Sequence, residues 1–161
     1  MSVKVDAIKF LDYIRAFNNQ DYPNQHEFYH DEVELCLPDP TVGTLKGKSA
    51  ITKHYTMIHN DAEEAVIPII VLSDRGKIFL LMETYFKFKR EIEHSVLNHH
   101  VYPGDVLKLT SCAIYDINDE GKMRRITCYK VEDKILGDVS MKDAIKDSET
   151  RADPDLRLFN Y

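Results

Sequence analysis

At 161 residues, 43% hydrophobic and 30% charged, the chain has the size and balance of one soluble domain with a core of its own. A formal net charge of −6 with scattered Lys and Arg argues against a nucleic-acid partner, and no apolar run approaches the ~18 residues that would cross a bilayer, so no membrane partner is expected. Asp6 and Asp12 interrupt the first apolar pattern, which does not suit a secretory leader. Cys36, Cys112 and Cys128 lie far apart, each in a strand pattern, and read as small buried hydrophobes of a reducing compartment. A cytoplasmic protein is expected.

Residues 3–18 carry Val3, Ala7, Phe10, Leu11, Ile14 and Phe17 at helical spacing, with Tyr13 near the edge of that stripe. Asp21-Tyr22-Pro23 opens a short second helix. Val33, Leu35 and Leu37 alternate as a half-buried strand does, and Pro38-Asp39-Pro40 stops it, because proline has no N–H for a ladder. Ser49 is the expected N-cap of a third helix over residues 49–59, with His54, Tyr55 and His59 on it. Residues 65–72 are rich in β-branched side chains, Ser73-Asp74-Arg75-Gly76 is a turn, and residues 77–89 return as a long strand. Ile78, Leu80, Met82, Thr84, Phe86 and Phe88 take one side of it, and Phe79, Leu81, Glu83, Tyr85 and Lys87 the other. Residues 90–105 are irregular, residues 106–117 and 122–131 pair across the Asn118–Gly121 turn, and a polar tail follows. Helices first and then a meander of strands predict an α+β fold with helices against one face of a curved antiparallel sheet. The expected division is one domain over residues 1–135 and a tail, residues 136–161, over the cone or a partner subunit.

Acidic residues, alternation, Asp39-Pro40, then Gly47-Lys48-Ser49-Ala50-Ile51 and a helix with aromatics together resemble the nuclear-transport-factor-2-like superfamily. It includes steroid delta-isomerases, SnoaL-like polyketide cyclases, scytalone dehydratase and small fungal cyclases. The resemblance covers roughly residues 5–132 and implies a cone-shaped sheet wrapped around the N-terminal helices. In the isomerases the Asp-Pro pair carries the general base. Asp39 matches it after a two-residue insertion, which preserves strand parity. Tyr13 precedes Asp31 by the interval that separates the family's oxyanion-binding tyrosine from its acidic pair. The family's second, acidic oxyanion donor falls on Ala113, which cannot donate. Ser111, Tyr115 and Glu83 are the substitutes on neighbouring strand positions.

Asp39 at the mouth of an apolar pocket would have its pKa raised by desolvation and serve as base or acid. Tyr13 would donate to an oxygen where charge develops. His54, on the helix face of Ile51 and Ile58, titrates near neutrality and completes the expected catalytic set. Tyr55, Glu83, Tyr115 and Ser111 are expected to touch substrate, with Arg124 or Arg125 as a structural alternative partner for Glu83. His94, His99 and His100 cluster without standard ligand spacing, so no metal is expected. No phosphate loop or dinucleotide fingerprint is present, so no cofactor is expected. Two functions fit these residues. One is a cofactor-independent isomerase, cyclase or dehydratase acting on a hydrophobic polycyclic small molecule. The other is a non-catalytic binding or dimerisation module. Apolar residues on both sides of strand 77–89 further predict a homodimer through the outer sheet face.

Overall fold

The computed structural model describes residues 7–159. Helix α1 (Ala7–Asn18) buries Phe10, Leu11, Tyr13, Ile14 and Phe17, so the predicted stripe is the one that packs. Val3, assigned to the same stripe, lies outside the described residues. Asn18 ends α1 and docks it: its Nδ2 donates to Val66 O at 2.9 Å, and its Oδ1 accepts from Val66 N at 2.8 Å. Helix α2 (Tyr22–His26) starts at Asp21, whose carboxylate accepts from Asn24 N.

Strand β1 (Tyr29–Cys36) leads through a short strand missing from the sequence reading, β2 (Thr44–Lys46), to helix α3 (Lys48–Asp61). The N-cap of α3 is Gly47, at φ 86, and not Ser49. A residue held in the left-handed region favours glycine there. The hairpin β3 (Ala62–Asp74) and β4 (Lys77–Phe88) turns at Arg75 and Gly76, both at positive φ, as a tight two-residue hairpin needs. Strands β5 (Asp105–Ile117) and β6 (Met123–Asp138) complete six strands in the order β2-β1-β6-β5-β4-β3. Pro68 is tolerated because β3 is the sheet edge.

The sheet differs from the expected one in one ladder. β1 runs parallel to β6, with Leu35 opposite Ile126, while the other pairings are antiparallel. The first strand and the last become neighbours through the long α3 and hairpin connection, and that crossover brings β6 back in the direction of β1. Register shifts along β5–β6 bend the sheet. Its concave face receives Ile78 and Leu80 from β4, Ala113 and Tyr115 from β5, and Ile126 from β6, all in one core with α1.

The convex face is covered by the end of the chain. β6 runs past residue 135, the expected domain boundary, to Asp138, and helix α4 (Met141–Glu149) then packs on β3 and β4. Ser140 caps α4, and Ile145 enters a second core with Ile67, Ile69, Tyr85 and Val106. Burying such a side chain contributes ~1.5–3 kcal/mol.

Glu83 belongs to this side of the sheet. Side chains alternate, so Met82 and Thr84 point into the cone and Glu83 points away from it. The expectation that Glu83 touches substrate is therefore corrected, and its partners are neither Arg124 nor Arg125. Arg151 reaches it at 2.8 and 2.5 Å, Lys108 at 3.0 Å, and Ser148 Oγ donates at 2.9 Å while accepting from Tyr85 OH at 2.7 Å. Burial pushes the Glu83 carboxyl up, but these donors outweigh it and hold it at about 2. A depressed folded-state pKa contributes stability that is present above the ordinary glutamate range and lost as pH falls toward about 2. Glu83→Gln should therefore lower the melting temperature at pH 7 and flatten its fall on acidification through that window. Thermal melts of both proteins from pH 7 to pH 2 check this.

Candidate active site

Helix α1, helix α3 and the concave strands leave a cavity of about 340 Å³ between them. Its floor holds Tyr13, Ile14 and Phe17 of α1, and Tyr115 and Ser111 of β5. Its rim is made by the β1–β2 turn, with Asp39, and by Ile92, Ser95, Val96 and Leu97 of the β4–β5 connection. The sequence places Tyr13, Asp39, His54, Tyr55, Ser111 and Tyr115 at the site, and all six line this one cavity.

The floor is a tyrosine cluster. Tyr13 OH lies 2.9 Å from Tyr29 OH, and buried Gln25 donates to Tyr29 OH at 2.8 Å. Tyr115 packs edge-on against Tyr13 and Phe10. Burial raises the pKa of Tyr13, Tyr55 and Tyr115, and pushes Tyr29 up to about 12. These hydroxyls stay protonated at neutral pH, and those of Tyr13, Tyr55 and Tyr115 belong to residues that line the cavity. Tyr29 and Gln25 escaped the sequence reading, and Gln25 is an ordinary polar residue until α2 buries it.

The cavity also holds a buried carboxyl–imidazole pair that sequence reasoning missed. Glu64 of β3 faces the cavity, and His59 Nε2 of α3 lies 3.0 Å from its Oε1, with both side chains only 5% exposed. Tyr22 OH lies 2.9 Å from His59 Nδ1 and orients the ring. With Glu64 ionised, His59 donates to it through Nε2 and accepts from Tyr22 through Nδ1. Burial raises the Glu64 pKa, and the His59 hydrogen bond only partly offsets this. A carboxyl so placed holds its proton to higher pH than an exposed one. The signal was present in the sequence: Glu64 shares strand parity with Val66, which faces inward. The β-branched run begins only at residue 65, one residue too late to include it.

Asp39 is differently used. Its Oδ1 accepts from Thr41 N at 2.9 Å and Thr41 Oγ1 at 2.7 Å, and its Oδ2 accepts from Leu97 N at 3.0 Å. Burial raises its pKa, but these bonds and nearby His54 bring it below the ordinary value, the opposite of the expected direction. Asp39 is thus a weakly basic carboxylate that ties the rim together. His54 beside it is kept neutral chiefly by burial, against the pull of Asp39. The loop that Asp39 holds has Leu97 and Asn98 at positive φ, and Asp133 of β6 secures its far side by a hydrogen bond with His99. The other two histidines of this cluster have separate partners, His94 with Asn98 and His100 with Glu91. Among the described residues no group of three or more His, Cys, Asp or Glu side chains is placed to hold a metal ion.

No family model and no curated protein matches the chain. Solved structures do match, and they show the nuclear-transport-factor-2-like, SnoaL-like cone fold. A polyketide-cyclase candidate from Xanthomonas campestris pv. campestris is 16% identical over 86% of this chain and 93% of its own, with TM-score 0.63. SalBIII, an epoxide hydrolase/cyclase-like enzyme of pyran ring formation in the polyether salinomycin, is 12% identical over 75% and 86%, at 0.59. A computationally designed 17-OHP binder is 13% identical over 80% and 93%, at 0.60.

The rim bond gives a direct test of the role of Asp39. Asp39→Ala should leave the fold intact and speed hydrogen exchange at the amides of Leu97 and Thr41 by about tenfold, the equivalent of one hydrogen bond of ~1–1.5 kcal/mol. Exchange measured residue by residue by NMR checks it.

Proposed function

We propose that this protein is a cofactor-independent enzyme of the cyclase or isomerase type, acting by general acid–base catalysis on a hydrophobic small molecule held in the cone. The observation that carries the reading is Glu64, a buried carboxyl with a raised pKa, facing an apolar cavity and bonded to His59. Glu64 removes or returns a proton at a carbon or hydroxyl of the substrate, and His59, oriented by Tyr22, shares that proton. Tyr13, held by Tyr29 and Gln25, donates to the oxygen where negative charge grows. His54, neutral at the rim beside Asp39, is the second proton acceptor. The fold is shared with polyketide-cyclase candidates and a cyclase-like enzyme, which supports the reaction class.

The competing reading is a binding module. A computationally designed 17-OHP binder shares the fold, which favours this reading. Mass spectrometry of the ligand carried by the protein from its own cells, followed by assay of that compound, separates the two. Unchanged compound after long incubation with wild type supports the module. Under the enzyme reading, Glu64→Gln should lower turnover ~10²–10⁴-fold with little change in binding. Tyr13→Phe should lower turnover more than affinity, because its bond strengthens as charge develops. Full activity in Glu64→Gln would move the base elsewhere, to His54 first.

The homodimer remains part of this proposal on a narrower surface. Helix α4 covers β3 and β4, but Tyr129, Val131 and Leu72 are more than half exposed on the remaining sheet. Light scattering at micromolar concentration should give twice the chain mass, and Tyr129→Lys should halve it.

A further inference from the structure

The charges around the cavity have one sign. Asp39, Asp61 and Glu64 line it, with His54 and His94 as the titratable nitrogens, and among the described residues no lysine or arginine lines it. Asp61 has Arg90 as partner at 2.9 Å, with Arg90 exposed outside the cavity, and Glu64 has His59. Among the described residues Asp39 has no cationic side chain bonded to it, only amide and hydroxyl donors. His54 is kept neutral by burial and does not balance it. The cavity therefore presents an uncompensated negative rim, and its interior offers hydroxyls (Tyr13, Tyr55, Ser111, Tyr115) and apolar walls (Phe17, Phe86, Phe88).

Resting on the reading of this cavity as the ligand site, we propose that its substrate is an apolar molecule without a carboxylate or phosphate, recognised through uncharged hydroxyl or carbonyl oxygens. An anion entering the cone would lose its hydration with no lysine or arginine among the described lining residues to receive it and would approach the Asp39 carboxylate at close range. A neutral oxygen loses little and gains a donor from the tyrosine floor. Specificity of this kind is set by repulsion as much as by contact.

Three probes of matched shape test this: 2-(2-naphthyl)ethanol, 2-(2-naphthyl)ethylamine and 2-naphthylacetic acid, titrated calorimetrically at pH 7.5 against the full chain. The expected result is that the alcohol binds at least tenfold more tightly than the acid, with the amine not excluded. In Val42→Arg, which adds a cation at the rim, the acid should gain at least fivefold while the alcohol is unchanged. Acid binding equal to or tighter than the alcohol in wild type overturns the proposal while leaving the cavity as a ligand site. If none of the probes binds, the cavity reading fails, and this proposal with it. Binding of the alcohol that persists in a variant with a filled cone, Ser111→Phe, would likewise overturn the cavity reading, since the ligand would then sit elsewhere.

Discussion

A curved sheet has two faces, and in this protein most of each is covered by other parts of the same chain. Strands β4 and β5 carry apolar or aromatic residues in both parities, so helices pack on both sides and leave Leu72, Tyr129 and Val131 exposed. Helix α1 fills the concave side and is fixed there by the reciprocal bonds between Asn18 and Val66. Helix α4 closes the convex side and is fixed by Arg151 on Glu83. The cavity is what remains because α1 and α3 do not reach the strands everywhere beneath the rim.

That division decides which polar groups matter chemically. Glu83 and Glu64 are both glutamates on long strands with low exposure. Glu83 faces a guanidinium, an ammonium and a hydroxyl, so its charge is satisfied and its pKa depressed. Glu64 faces one imidazole and an apolar space, so its pKa is raised. The first is built to stay ionised and hold a helix. The second holds its proton to higher pH. The same desolvation acts on both, and the number of donors decides the sign.

The rim shows a second consequence of competing partners. The conformation of Pro38-Asp39-Pro40 presents its carboxylate toward the cavity mouth, as a stiff turn between two fixed φ values should. Two backbone amides and a hydroxyl occupy that carboxylate, and so it acts on the loop across the mouth. Geometry put the group in position, and its hydrogen bonds lower its pKa and tie it to the loop across the mouth.

The sequence by itself was enough for much of this. Apolar spacing in residues 7–18, alternation in the strands and the turn residues at 73–76 and 118–121 are local signals, and they reproduced α1, the hairpins and the inward row Tyr13, Ser111 and Tyr115. The resemblance carried by Asp39-Pro40 and the following helix anticipated the cone. What only the tertiary structure decided is pairing between distant segments. The parallel β1–β6 ladder joins the first strand to the last, Arg151 comes to Glu83 from a tail that reads as merely polar, and Leu97 offers its amide to Asp39 from a loop with no periodicity. His59 meets Glu64 only because α3 ends where β3 begins and folds back inside the cone. A single side chain's pKa and role depend on which donors and how much water surround it. Those are set by contacts across the chain, and no local pattern encodes them.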